Sequence, residues 1–255
     1  MKKTFAIIAI AAASLATSHA QIITQWNFNG NSTVTSVGVG TISVIGNATT
    51  TGFNSGGGSS DPTQPGLGYQ TTNYPAQGIG SGTSGIRVDT STAAFTSPSF
   101  TSLKVSFDLR TSNTSSRWFR VDYTNDGGSN WNLGTATRLG ATANAGDTFH
   151  NSNVLSISDT LALGNANFGF RVVSVFSPVE FTEVLSGTNF GANAAYEVAR
   201  NQSLPGSNYA AGTWRFDMVQ VEAIPEPSTW VLIGLGIGFI LLRIRGTKRA
   251  STSVG

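Results

Sequence analysis

Cysteine is absent from all 255 residues, and charge is scarce at 11%. No disulfide, thiolate nucleophile or cysteine-based metal site can form. Only two histidines occur, His19 and His150, so a multi-histidine metal centre is excluded and one imidazole remains for the body of the chain. Lysine is almost missing there as well: Lys104 is the only one between Gln21 and Pro227. The formal charge of +2 comes from the ends, where Lys2, Lys3, Arg243, Arg245, Lys248 and Arg249 lie. Without them the body carries 9 basic and 13 acidic groups, or −4, which leaves no basic stripe for nucleic acid.

The first 20 residues have a three-part pattern: two lysines, an apolar run from Phe5 to Ala16, then small residues ending at Ser18-His19-Ala20. This predicts a secretory signal peptide over residues 1–20, cut between Ala20 and Gln21 by signal peptidase after passage through the secretion translocon. An exported domain without staples must be held by an apolar core, and residues 21–223 are enough for one domain of that kind.

Within that span short Val/Ile/Phe runs alternate with Thr, Ser, Asn and Gly, which predicts an all-β fold. In "TSLKVSFDLRTS" Leu103, Val105, Phe107 and Leu109 share one face, and Ser102, Lys104, Ser106, Asp108 and Arg110 the other. "SRWFRVDYTNDGG" turns Phe119, Val121 and Tyr123 inward and Arg117 or Asp122 outward. "ANFGFRVVSVFS" turns in Phe168, Phe170 and Val172. In "TWRFDMVQVEA" the apolar phase passes from Trp214 and Phe216 to Val219 and Val221, as a bulge would produce. "IITQWNFNG" and "VGVGTISVIG" supply opening strands. The Gly/Ser/Pro-rich stretch from Thr51 to Gly85 reads as a long surface loop with a few turns. Together these features predict an antiparallel two-sheet β-sandwich of jelly-roll type.

No catalytic residue stands out, and no metal ligand or cofactor motif. A glycosidase needs two carboxyl groups across a cleft. Asp108, Asp122 and Asp217 read as solvated outward strand positions, and Asp61, Asp126 and Asp147 as turn residues. His150, in "DTFHNSN", reads as an exposed loop histidine with no nucleophile elbow before it. "TNDGGSNW" resembles the Asp-box hairpin, through Thr124, Asp126, Gly128 and Trp131, with Asn130 where Thr is usual. Asp126 can accept from turn amides, the glycines permit positive φ, and Trp131 packs beneath the turn. That resemblance implies a structural hairpin. For stacking on sugar rings Trp118 is the favoured aromatic, since alternation sets it opposite Phe119 and Val121 beside Arg117 and Arg120.

The C-terminal stretch differs from everything before it. Pro225-Glu226-Pro227 precedes thirteen uncharged residues, Trp230 to Leu242, and then Arg243, Arg245, Lys248 and Arg249. As a helix the run is about 20 Å long, short against a hydrocarbon core of about 30 Å. The basic cluster acts as stop-transfer and keeps the body outside by the positive-inside rule. In order and composition residues 224–250 resemble the PEP-CTERM sorting signal of Gram-negative bacteria. The resemblance implies recognition by exosortase, a membrane-embedded cysteine transpeptidase, and cleavage near Pro225-Glu226-Pro227. It further implies export through the inner membrane, a transient single-span intermediate, and delivery to the cell surface or extracellular matrix. The expected function is that of a non-enzymatic surface or matrix protein, structural or adhesive and associated with exopolysaccharide. The alternatives are a carbohydrate-binding module and, third, a glycan-active hydrolase.

Overall fold

The computed structural model describes residues 19–75, 80–140, 146–183, 187–198 and 212–226. In chain order the strands are β1 (Gln21–Trp26), β2 (Val37–Gly38), β3 (Gly40–Ile45), β4 (Thr49–Ser55), β5 (Leu67–Thr72), β6 (Gly85–Thr90) and β7 (Phe100–Thr111). There follow β8 (Trp118–Thr124), β9 (Thr137–Arg138), β10 (Phe149–Ile157), β11 (Gly169–Ser174), β12 (Phe181–Thr182), β13 (Asn189–Phe190) and β14 (Trp214–Pro225). Among the described residues one 3-10 turn, Thr160–Ala162, is capped by the Asp159 carboxylate.

Two antiparallel sheets form the expected sandwich. The larger runs β10-β7-β14-β1-β2, with β4 and β5 completing its seven strands; the smaller runs β3-β6-β11-β8-β9. β14 is the hub of the larger sheet. One edge pairs with β7 along its length, and the other is shared between β5 at Trp214–Phe216 and β1 at Val219–Ala223. β12 and β13 make a separate small hairpin.

The alternating pattern packs as the sequence predicts. Leu103, Val105, Phe107 and Leu109 from β7 and Trp214, Phe216, Val219 and Val221 from β14 face Ile86, Val88, Phe119, Val121, Phe170 and Val172 of the opposite sheet in one core. Phe107 meets Phe119 edge to face across the sheets, centroids 5.6 Å apart. The phase change in β14 is a bulge: pairing with β7 slips between Asp217 and Gln220, and Met218 between them takes φ 46°.

The stretch from Thr51 to Gly85 is not one long loop. It contains most of β4 and all of β5, whose apolar anchors are sparse but real: Phe53 and Tyr69 pack with Phe28, 5.5 to 6.0 Å between ring centroids. Glycine and threonine fill the other positions and hide the alternation. The true loop, 56–66, folds over the outer face of the larger sheet.

Candidate functional site

Three places on the sandwich gather polar chemistry. The first is the outer face of the larger sheet. Asp108 and Asp217 are direct cross-strand neighbours on β7 and β14, and both are buried together with Asp61, rather than solvated or at an open turn. Loop 56–66 covers them and supplies their donors. The Ser59 hydroxyl donates to Asp217 at 2.6 Å, and the Ser60 N–H and hydroxyl both donate to Asp108, at 2.5 and 2.7 Å. Backbone N–H groups at two kinks complete the set, Met218 to its neighbour Asp217 at 2.8 Å and Ser152 to Asp108 at 2.7 Å. Asp61 accepts from Asn29 at 2.6 Å and from the Thr63 N–H at 2.7 Å. Burial first, and then the nearby carboxylates Asp61 and Asp108, push the Asp217 carboxyl up to about 7 against the lowering effect of its donors. Among the described residues no group of three or more His, Cys, Asp or Glu is placed to hold a metal ion.

The second place is the outer face of the smaller sheet. Ser43, Arg87, Arg171 and Asp122 stand in register across β3, β6, β11 and β8. Asp122 is fully buried rather than outward in water, because Arg120 and Arg171 close on it at 2.6 and 2.8 Å. Arg87 pairs with Asp89 at 2.7 Å and donates to the Gly127 carbonyl at 2.8 Å. Two arginines directly opposite each other repel; here the Trp131 ring receives both, the Arg171 and Arg87 guanidinium carbons lying 4.3 and 5.5 Å from its centroid.

The hairpin that carries Trp131 is built as an Asp-box resemblance implies. Asp126 accepts from the Asn130 N–H at 2.9 Å, the Asn130 amide at 2.7 Å and the Thr124 hydroxyl at 2.7 Å, which together hold its exposed carboxyl down at about 2. Gly127 and Gly128 take φ of 69° and 92°, a conformation that few other residues adopt without cost. Trp131 is half-buried on the arginine row rather than beneath the turn.

Trp118 is the aromatic that sequence favours for sugar stacking, and the structure places it elsewhere. It is 8% exposed, packed with Val173 and Val175, and its indole N–H donates to Glu197 at 2.9 Å. Glu197 also pairs with Arg138 at 2.5 Å and with Arg117 at 3.4 Å. Arg117 is itself buried rather than outward; it donates to the Leu139 and Gly140 carbonyls, and burial lowers its pKa. The covering segment around Glu197 carries no periodic signal, so nothing in the local pattern around Trp118 announces it. His150 lies on β10 opposite Leu109 and is half-buried rather than on an exposed loop.

A groove of about 650 Å³ opens at one end of the sandwich, with Ile23, Phe95 and Phe168 as apolar lining and Thr41, Arg87, Asp89 and Asn167 as polar lining.

The third place is that same end. β1 begins there and β14 finishes there, with Gln21 paired to Ala223. Ala223 is fully buried, Pro225 pairs with Phe100, and the Glu226 N–H donates to the Ser99 carbonyl at 3.2 Å. Residues 1–18 of the expected signal peptide, Pro227, the run Trp230–Leu242, and Arg243, Arg245, Lys248 and Arg249 lie outside the described residues. His19, Ala20 and Gln21 are exposed.

No curated protein matches the chain in sequence. Among solved structures it is similar to the CBM22-1–GH10 modules of a Clostridium thermocellum endo-1,4-β-D-xylanase in complex with xylohexaose, at 10% identity and a TM-score of 0.43, covering 82% of this chain and 30% of that one. It is also similar to the CBM22-1–CBM22-2 tandem domain of a Paenibacillus barcinonensis Xyn10C, at 11% identity and a TM-score of 0.40, covering 83% and 52%. A third similar structure, an exo-β-agarase, has 13% identity and a TM-score of 0.40, with 82% and 25% covered. The chain thus spans between a quarter and about half of these structures. Residues 223–245 match the PEP-CTERM protein-sorting motif, so the chain carries a sorting motif of this kind, and it starts on the last three residues of β14.

Proposed function

We propose that the chain is an exported, non-catalytic surface or matrix protein with a structural or adhesive, exopolysaccharide-associated role, anchored for a time by Trp230–Leu242 and released by exosortase. The observation that carries this reading is the placement of the sorting motif. It begins inside the central strand of a self-sufficient sandwich, where Ala223, Ile224 and Pro225 are held by β7. The non-catalytic part is supported by the state of the carboxylates: Asp61, Asp108, Asp122 and Asp217 are all buried, engaged by hydroxyl, amide or guanidinium donors, and unlike the open pair that glycoside hydrolysis uses.

Cleavage requires an extended, accessible backbone, and the backbone is engaged as far as the Glu226 N–H. The exported product is therefore expected to begin at Gln21 and to end at or after Glu226. Intact mass spectrometry on protein from an exosortase-bearing host checks this; a mature product still carrying Trp230–Leu242 would favour a permanent anchor instead.

A carbohydrate-binding role is the second reading, and one observation favours it. Trp131 is partly exposed, backed by Arg87 and Arg171, and carried by the hairpin whose Gly127 lines the groove. If the body binds polysaccharide there, Trp131→Ala abolishes binding to the responding glycan while Trp118 substitutions act only through stability. Absence of binding across a panel of bacterial polysaccharides rejects this role.

A further inference from the structure

The end of the sandwich from which β14 exits has a definite composition. β7 starts there, β6 and β8 finish there and β11 starts there, so the segments 91–99, 124–131 and 159–168 all converge on it. Cross-contacts tie them together: Asn165 donates to the Asn125 carbonyl at 3.0 Å, the Gly127 N–H to Asn167 at 3.0 Å, and the Thr92 hydroxyl to Ala162 at 2.6 Å. Three of its apolar side chains are exposed, Val39 at 85%, Leu161 at 70% and Ile22 at 36%, and Phe95 and Phe100 are only partly buried. Its charges are mostly engaged. Glu222 pairs with Lys104, Asp89 with Arg87, and Asp159 accepts from Tyr123, Asn125 and the Leu161 N–H; Asp126 is exposed but held in its hairpin.

Scattered exposed apolar residues need no explanation. These surround a chain exit, and the exit is close to the apolar run. Three residues lie between Glu226 and Trp230, four steps of chain that reach at most about 14 Å even fully extended. β14 alone, with 12 residues, is about 40 Å long. The tether is therefore too short for the far end of the body to swing round to the surface in which the tag is embedded.

We infer that this end of the sandwich lies against the lipid bilayer while the tag is attached, with Val39, Leu161 and Ile22 in the interface and the groove at Ile23, Phe95 and Phe168 closed by it. Release of the tag uncovers the groove, so processing both frees the protein and exposes that concave surface. The inference rests on the anchoring reading above and adds to it a side of contact and a consequence.

The chain has no cysteine, so single cysteines can be placed and labelled without background. Full-length protein carrying Val39→Cys, Leu161→Cys, Val179→Cys or Leu235→Cys is labelled with a polarity-sensitive nitrobenzoxadiazole dye. Each is reconstituted in phosphatidylcholine vesicles with and without doxyl-lipid quencher. Emission at Val39 and Leu161 is expected to shift to the blue and to lose most of its intensity with quencher, while Val179, which is 53% exposed at the other end, keeps its intensity. Equal responses at Val39 and Val179 overturn the inference with the anchor intact. A blue shift at Val39 without quenching means that protein, such as a second copy, covers this end, and overturns it too. An unquenched dye at Leu235 fails the anchoring reading itself, and the inference falls with it.

Discussion

Asp217 keeps its proton nearly to neutral pH because burial on the outer face of β14, with Asp61 and Asp108 nearby, outweighs the Ser59 hydroxyl and the Met218 N–H, which favour its charged form. An unfolded aspartate titrates near 3.8, whereas the folded one titrates at about 7, so between those values the folded chain binds more protons. Stability from this group is thus complete below the lower value and falls as pH rises through the window, with a limiting slope of about 1.4 kcal/mol per pH unit. Asp217→Asn removes the charge and keeps the shape. Thermal melts should show the parent losing stability from pH 5 to pH 8 and the variant losing less, with the variant the more stable of the two at pH 8. A parallel pH dependence in both would show that Asp217 does not carry the effect. Alternation alone correctly sets Asp108, Asp122 and Asp217 on outer faces. It is silent on exposure, because what covers them comes from elsewhere: Ser59 and Ser60 from a distant loop, and Arg171 from the neighbouring strand. Trp118 is hidden by the same kind of remote cover, the segment around Glu197.

Single strands show how close backbone contact is converted into sequence. Gly85 opens β6 between Ile45 and Val173, and a methyl group there would stand 1.9 Å from the Val172 carbonyl oxygen. The obstacle is backbone in the middle strand β11, which cannot move without breaking its ladders. Gly85→Ala is expected to cost more than about 4 kcal/mol, in the upper tail of single substitutions. Denaturant unfolding or soluble yield reads this directly; a near-wild-type midpoint would mean the strand relaxes after all. The kinks are the other element-scale device. The bulge in β14 is legible as a phase change between Phe216 and Val219. The irregularity in β10 between His150 and Asn153 is not, because that strand has few apolar residues to mark a phase. Both do the same job from opposite sides of β7, turning a backbone N–H at Met218 or Ser152 onto a buried carboxylate. β4 and β5 are hidden by glycine and threonine at positions where strands elsewhere in the chain carry Val or Phe, as β10 is by His, Asn and Ser at its kink.

At the scale of the whole molecule, one apolar core with no covalent staple joins both sheets, and its strands come from every part of the body. The sandwich and the C-terminal signal are legible in sequence because each has a pattern that repeats or a fixed order of parts. The groove and the arginine row are not, since they arise where β1, β6, β11 and two loops meet. The pairing of Gln21 with Ala223 has a bearing on time as well as place. On the export route proposed above, β1 crosses first, and its partner for five of its residues crosses last. Such a pairing encloses nearly the whole chain, the slow, non-local kind of contact. The larger sheet therefore cannot close around β1 until β14 is available to pair with it, so the last strand of the body completes the fold that the first one begins.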